Sequence, residues 1–205
     1  MTQYNLYKNL KLSDSAFWDD RYESGQTGWD IGYASTPVKE YADQISDKEI
    51  KILIPGCGNA YEAEYLLQSG FRDITVLDIS EVLTEKLKMK FGGYEGIRIF
   101  NEDFFEHEDK YDLIIEQTFF CALDPGMREE YAVKMSSLLS ENGKVAGVLF
   151  DTQFEKEGPP FGGSRNEYEV LFGKHFEIKT LERCYNSVAK RSGNEVFINL
   201  KNKKL

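Results

Sequence analysis

Histidine is nearly absent from this chain, with two among 205 residues, and neither His107 nor His175 has a second His or Cys at metal-ligand spacing. A structural zinc centre and a Ser/His/Asp triad are both disfavoured on that ground, and no metal site is expected. Cysteine is also scarce: Cys57, Cys121 and Cys184 are far apart and odd in number, which excludes a disulfide framework and suits a reducing compartment. No stretch approaches the roughly 18 consecutive apolar residues of a spanning helix, and the opening MTQYNLYKNLKLSDS has no apolar leader core. A cytoplasmic location away from membranes is therefore expected. Positive charge is in the minority, 25 Lys plus Arg against 35 Asp plus Glu for a net charge of −10, the wrong sign for affinity built on phosphate neutralisation. Nucleic acid is thus an unexpected partner. With no repeat and no low-complexity linker, one domain over 1–205 is expected, and nothing calls for an obligate protein partner.

What is present is apolar and aromatic: 41% hydrophobic residues, with 14 Phe and 12 Tyr, the profile of a packed protein bearing a pocket. The apolar residues alternate between two periods. Ile52-Leu53-Ile54 is a buried strand broken by Pro55-Gly56. Ala60, Ala63, Leu66 and Leu67 then fall at helical spacing, with Gly70 placed as a left-handed C-cap. Ile74 to Leu77 forms a second strand ending at Asp78, and Ser80 is a natural N-cap for a helix through Val82, Leu83, Leu87 and Phe91. Ile97–Phe100 and Tyr111–Ile115 give two more strands, the latter running into the polar trio Glu116-Gln117-Thr118. Met127, Tyr131, Met135, Leu138 and Leu139 form a helical stripe, which Glu141-Asn142-Gly143 stops before a fifth strand, Val145–Phe150. A helix from Asn166 to Phe172 and closing strands Phe176–Leu181 and Glu195–Leu200 complete the pattern. Strands separated by helices predict an α/β fold: a doubly wound, mostly parallel seven-stranded sheet with helices on both faces and an antiparallel last strand. Ligands of such sheets bind beyond the carboxyl ends of the strands.

The first strand's turn, Pro55-Gly56-Cys57-Gly58, opens a helix and lets backbone approach a ligand closely. The third glycine of the dinucleotide fingerprint is missing, since Asn59-Ala60-Tyr61 follows. Asp78 lies 20 residues after Gly58 at the end of the second strand, where a carboxylate accepts hydrogen bonds from both hydroxyls of an adenosine ribose. After the third strand, Asp103 can bond an adenine amino group and Phe104 can cover its ring, while Gln117 faces the same crevice. One nucleoside ligand without a phosphate cradle explains all four.

With those residues in place the sequence resembles the S-adenosylmethionine-dependent methyltransferases of Rossmann-like fold. Phe17-Trp18-Asp19-Asp20-Arg21-Tyr22, Gly25 to Asp30 and Thr36-Pro37 narrow the resemblance to the thiopurine, thiol and halide methyltransferase family. Ile54 to Gly58, Thr118 to Pro125 and Gly158-Pro159-Pro160-Phe161 point the same way, so the likeness spans nearly the whole chain. It implies S-adenosylmethionine as cofactor, with Trp18, Tyr22 and Trp29 folding over it and Gly56 beside its methionine part. It also implies Asp78 at the ribose and Asp103 and Phe104 at the adenine. Tyr22 stands where Trp is commoner in the family. Gln117 stands where plant thiol and halide members have Tyr and animal thiopurine members have Arg.

Aromatic faces stabilise a cation such as a sulfonium by about 0.5 to 2 kcal/mol where water is excluded. The expected reaction is methyl transfer to a small soft nucleophile, a thiol, hydrosulfide, selenide or halide, with Phe119, Phe120 and Phe161 lining the acceptor pocket and Arg191 supplying a cation beside a thiol. A thiopurine acceptor, a nicotinamide-dependent oxidoreductase and a non-catalytic nucleoside-binding module are the alternatives. Residues 1–35, with their aromatic residues and Gly25, Gly28 and Gly32, are expected to be a mobile cover over a core of residues 36–205.

Overall fold

The computed structural model describes residues 14–156 and 158–203; the first 13 residues of the expected cover lie outside them. Seven strands build one sheet in the order β3-β2-β1-β4-β5-β7-β6, with β1 Ile52–Pro55, β2 Ile74–Asp78, β3 Ile97–Asn101, β4 Tyr111–Gln117, β5 Leu139–Phe150, β6 Phe176–Arg183 and β7 Glu195–Asn202. β1 pairs in parallel with β2 and β4, β2 with β3 and β4 with β5, while β7 inserts antiparallel between β5 and β6. The predicted architecture is the one observed. Winding reverses between β1 and β4, which opens a crevice at the carboxyl ends of the central strands.

Strand side chains alternate between two faces, so each central strand is buried twice. Ile52, Ile54 and Val76 meet α2 Thr36–Asp43, α3 Tyr61–Gln68 and α4 Glu81–Phe91 through Val38, Ala63, Leu66 and Leu87. Leu53, Ile114 and Val145 meet α5 Arg128–Leu138 and α6 Arg165–His175 through Tyr131, Met135, Tyr168 and Phe172. Two predicted caps hold. Ser80 Oγ accepts the Leu83 N–H at 3.1 Å, and Gly70, at φ 93°, ends α3 with its N–H on the Leu67 carbonyl at 3.0 Å.

The structure adds to the expected pattern in one place and departs from it in another. Among the described residues before Ile50 there is no strand, but there are two helices to which the sequence pattern assigns no element: α2 and also α1 Ser15–Glu23, whose N-cap Asp14 accepts the Ala16 N–H. Further on, Glu141-Asn142-Gly143 is no turn but a bulge inside β5: Leu139 pairs with Tyr111 and Lys144 with Leu113. A Cβ at Gly143 would lie 2.7 Å from the Tyr111 carbonyl, so the glycine answers to close backbone approach. Among the described residues no helix is long and apolar enough to cross a membrane.

Candidate active site

The turn after β1 places its backbone against the crevice. Gly56 has φ 54°, and a Cβ there would lie 2.2 Å from Cδ2 of Phe119, so only glycine lets that ring pack onto the turn. Asp78, at the end of β2, is buried; its Oδ2 accepts the Gly58 N–H at 3.3 Å and its Oδ1 the Ser80 N–H at 3.0 Å. Burial pushes its carboxyl up to about 6 against the pull of those two hydrogen bonds. Asn101 ties the start of the next loop to the Asp78 and Ile79 carbonyls, and Asp103 closes that loop by accepting the Phe105 N–H at 2.9 Å. Glu116, fully buried in β4, accepts the Phe119 and Phe120 N–H groups and the Tyr131 hydroxyl, which fixes the turn carrying Phe119.

The aromatic cover is fastened at three points. Asp19 on α1 accepts the Ser80 hydroxyl at 2.6 Å and the Val82 N–H at 3.0 Å at the start of α4. Asp30 accepts from Asn59 and, at 3.3 Å, from the Tyr61 hydroxyl. Arg191, in the turn Ala189–Arg191, donates from Nη2 to the Trp29 carbonyl at 2.7 Å and faces Glu195 at 3.6 Å. So held, Trp29 takes Trp18 edge-on at a centroid distance of 5.7 Å and Tyr22 at 5.8 Å. Burial, reinforced by the nearby Asp78, pushes the Tyr22 hydroxyl well above its ordinary range, so it stays protonated.

One cavity joins these parts. Trp18, Tyr22, Trp29, Gly56, Asp78, Asp103, Phe104 and Gln117 all line it, as do Phe119 and Arg191. Phe120 and Phe161, expected in its wall, are elsewhere. The turn after Phe119 swings Phe120 into the core against Tyr131 at 5.0 Å, Tyr168 at 5.6 Å and Arg128, leaving it 2% exposed. Phe161 donates its N–H to the Cys121 carbonyl and sets its ring against Gly158, so Pro159 and Pro160 reach the cavity in its place. Arg191, expected beside the acceptor, is buried in the cavity wall. Among the described residues the charged groups of the wall are Asp30, Glu62, Asp78, Glu102, Asp103 and Asp124 against the single cation Arg191.

The chain matches the thiopurine S-methyltransferase family over residues 13–203. It is 33% identical over 196 residues to the probable thiol methyltransferase 2 of Arabidopsis thaliana, covering 93% of this chain and 86% of that protein. The chain belongs to that family. This methyltransferase is also 24% identical over 203 residues to the thiopurine S-methyltransferase of Acinetobacter baylyi, 87% and 92% being covered. In fold it superposes on the 1,6-didemethyltoxoflavin-N1-methyltransferase of Burkholderia thailandensis with a TM-score of 0.74 at 16% identity, over 93% of this chain and 87% of that one.

Sequence reasoning missed Asp19, Asp30, Ser35 and Glu62. Ser35 precedes α2 as an N-cap does, yet its side chain makes no cap: Oγ donates to Gln117 Oε1 at 2.7 Å, and its N–H goes to Glu62 Oε1 at 2.9 Å. A Ser before Thr-Pro carries no sequence signal for partners 82 and 27 residues away. Asp19 and Asp30 stood inside the quoted aromatic segments and were recognisable there as the acids beside Trp18 and Trp29.

Proposed function

We propose that this methyltransferase transfers a methyl group to a small soft nucleophile, a thiol, hydrosulfide, selenide or halide, in the cytoplasm and without nucleic acid, membrane or obligate protein partner. Its cofactor is S-adenosylmethionine. The cavity suits that molecule better than a dinucleotide: six carboxylates face one guanidinium, hostile to a pyrophosphate and favourable to a cation. In this reading Asp78 accepts the two ribose hydroxyls, Asp103 and Phe104 hold the adenine, and Gly56 gives backbone access beside the amino-acid end. Trp18, Tyr22 and Trp29 surround the positive sulfur, Gln117 faces the cofactor's amino-acid end, and Phe119 and Arg191 stand on the acceptor side.

S-adenosylmethionine supplies a methyl already activated on a positively charged sulfur. The chain's contribution is then orientation and water exclusion, which a docked aromatic cover provides. A soft anion arrives ionised and asks for no strong base. That agrees with a cavity wall that holds no histidine, in which Cys57 and Cys121 are kept as thiols: burial raises both, Cys121 to about 12. Arg191 offers a positive field to an arriving thiolate. The 33% and 32% identical relatives named as probable thiol and thiocyanate methyltransferases support the acceptor class.

The observation that carries the proposal is the convergence of Asp78, the aromatic trio and a single buried arginine on one cavity. Headspace analysis after incubation with S-adenosylmethionine and hydrosulfide or iodide, beside a thiopurine assayed in solution, tests it. Volatile methylated product is expected. A thiopurine methylated faster than every small nucleophile would replace the proposed acceptor class, and titration with NAD in parallel would expose a dinucleotide site.

A further inference from the structure

Of the three buried charged residues of the cavity wall, Asp78, Arg191 and Glu62, the reading above leaves Glu62 without a task. It sits at the second position of α3 and is 6% exposed. Among the described residues its carboxylate accepts the Ser35 N–H at 2.9 Å and is otherwise held only by weaker contacts with the Ser35 hydroxyl and its own backbone N–H. Among the described residues no cation stands within 4.0 Å of it: Arg191, whose field it feels, pairs with Glu195 and the Trp29 carbonyl instead. A carboxylate taken out of water with so little compensation is costly, and Glu62 opens onto the cavity, not the core. Burial pushes its carboxyl up, while the Ser35 N–H, its own backbone N–H, the Ser35 hydroxyl and Arg191 hold it back toward the anion. Its missing partner is therefore a cation brought by the ligand.

Sheet order fixes which cation. If the ribose lies at Asp78 on β2 and the adenine beyond β3, as the proposed function has it, the amino-acid end points back across β1 toward β4. Glu62 is on that side: Ser35 joins it to Gln117, the last residue of β4, and Gly56 follows β1. We propose that Glu62 is a cofactor-binding residue, the anionic partner of the α-ammonium of S-adenosylmethionine, and that Ser35 positions both it and Gln117. The site thus takes adenosyl thioethers and sulfoniums that carry a charged amine and discriminates against those without one, by a charge-assisted hydrogen bond.

Calorimetric titration of the full chain tests this with two ligands, S-adenosylhomocysteine and 5′-methylthioadenosine, which shares the adenosine and sulfur but has no amino acid. Glu62→Gln keeps an acceptor for the Ser35 N–H. It should weaken S-adenosylhomocysteine by about tenfold or more, and 5′-methylthioadenosine by less than about twofold. Equal weakening of both ligands would make Glu62 a packing residue, and unchanged S-adenosylhomocysteine affinity with lost transfer would move it to the acceptor; either overturns the proposal. Should the variant fail to fold, wild-type protein titrated with S-adenosylhomocysteine lacking its amino group decides instead, since undiminished affinity would also overturn it. Asp78→Asn separates the two levels of the argument: it should weaken both ligands, and if it weakens neither, the ribose placement fails.

Discussion

Asp78 shows how one residue links spacing, burial and binding. Its carboxyl, raised to about 6, is more easily protonated than in the unfolded chain, so its contribution to the stability of the ligand-free protein is present at low pH and is lost as pH rises through about 6. With the ribose at Asp78, as proposed, ligand binding has the opposite sign, because its hydroxyls would donate to the ionised form. Affinity for S-adenosylhomocysteine should rise with pH up to about 6 and then level, falling toward tenfold per unit on the acid side. Calorimetry between about pH 5 and about pH 8 reads this directly, and Asp78→Asn should flatten the profile and cost about 1 to 3 kcal/mol of binding at neutral pH. Gly56→Ala meets both a left-handed backbone and the Phe119 ring. It should lower stability by about 1 to 3 kcal/mol in thermal unfolding and displace that ring from the cavity, with loss of ligand affinity. Asp78 and Gly56 were legible because strand ends and a glycine turn mark them. Glu62 and Ser35 were not, since their roles come from contacts across the fold. Phe119 and Phe120 are adjacent and chemically alike, and only the short turn held by Glu116 sends one to the cavity and the other to the core.

At the scale of the element, α1 carries two of the three aromatic residues of the cover, and Asp19 fastens it where the N-terminus of α4 presents free N–H groups and the positive end of its dipole. Asp19→Ala should therefore loosen α1 by about 0.5 to 2 kcal/mol. Hydrogen exchange over 15–23 should quicken while the amides of β1 and β4 keep their protection, and S-adenosylhomocysteine should restore part of the loss if the cover closes on ligand. Exchange unchanged in the variant would mean that aromatic packing alone holds the helix. The sheet and the helices α3 to α6 were readable from their apolar periods because each buries one stripe or alternates between two covered faces. α1 was not, because Phe17 is buried in the body of the protein while Trp18 and Tyr22 belong to the cavity, so its apolar residues form no single stripe. The bulge in β5 was misread for a related reason: Glu-Asn-Gly has turn composition, and only the pairing of Leu139 with Tyr111 extends the strand back past it.

The molecule as a whole carries a net charge of −10, and among the described residues its cavity wall sets six acids against one arginine. That field attracts a cationic cofactor and repels an anionic acceptor, two effects that salt shifts in opposite directions. The Debye length falls from about 30 Å at about 0.01 M salt to about 8 Å at about 0.15 M. Over that range, kcat/KM for hydrosulfide or iodide at saturating cofactor should rise as repulsion is screened. Affinity for S-adenosylmethionine should fall over the same range. S-adenosylhomocysteine, whose sulfur is uncharged, should respond much less, and a neutral thiol acceptor should show no rise. Sulfate salts are required, because chloride is itself a halide of the proposed acceptor class. Initial rates at several ionic strengths separate the long-range field from the local one: Arg191→Gln should lower the rate with anionic acceptors at every salt concentration while leaving the slope of the salt dependence in place. A kcat/KM for iodide that fell with sulfate would mean that Arg191, not the surrounding acids, governs the approach of the acceptor.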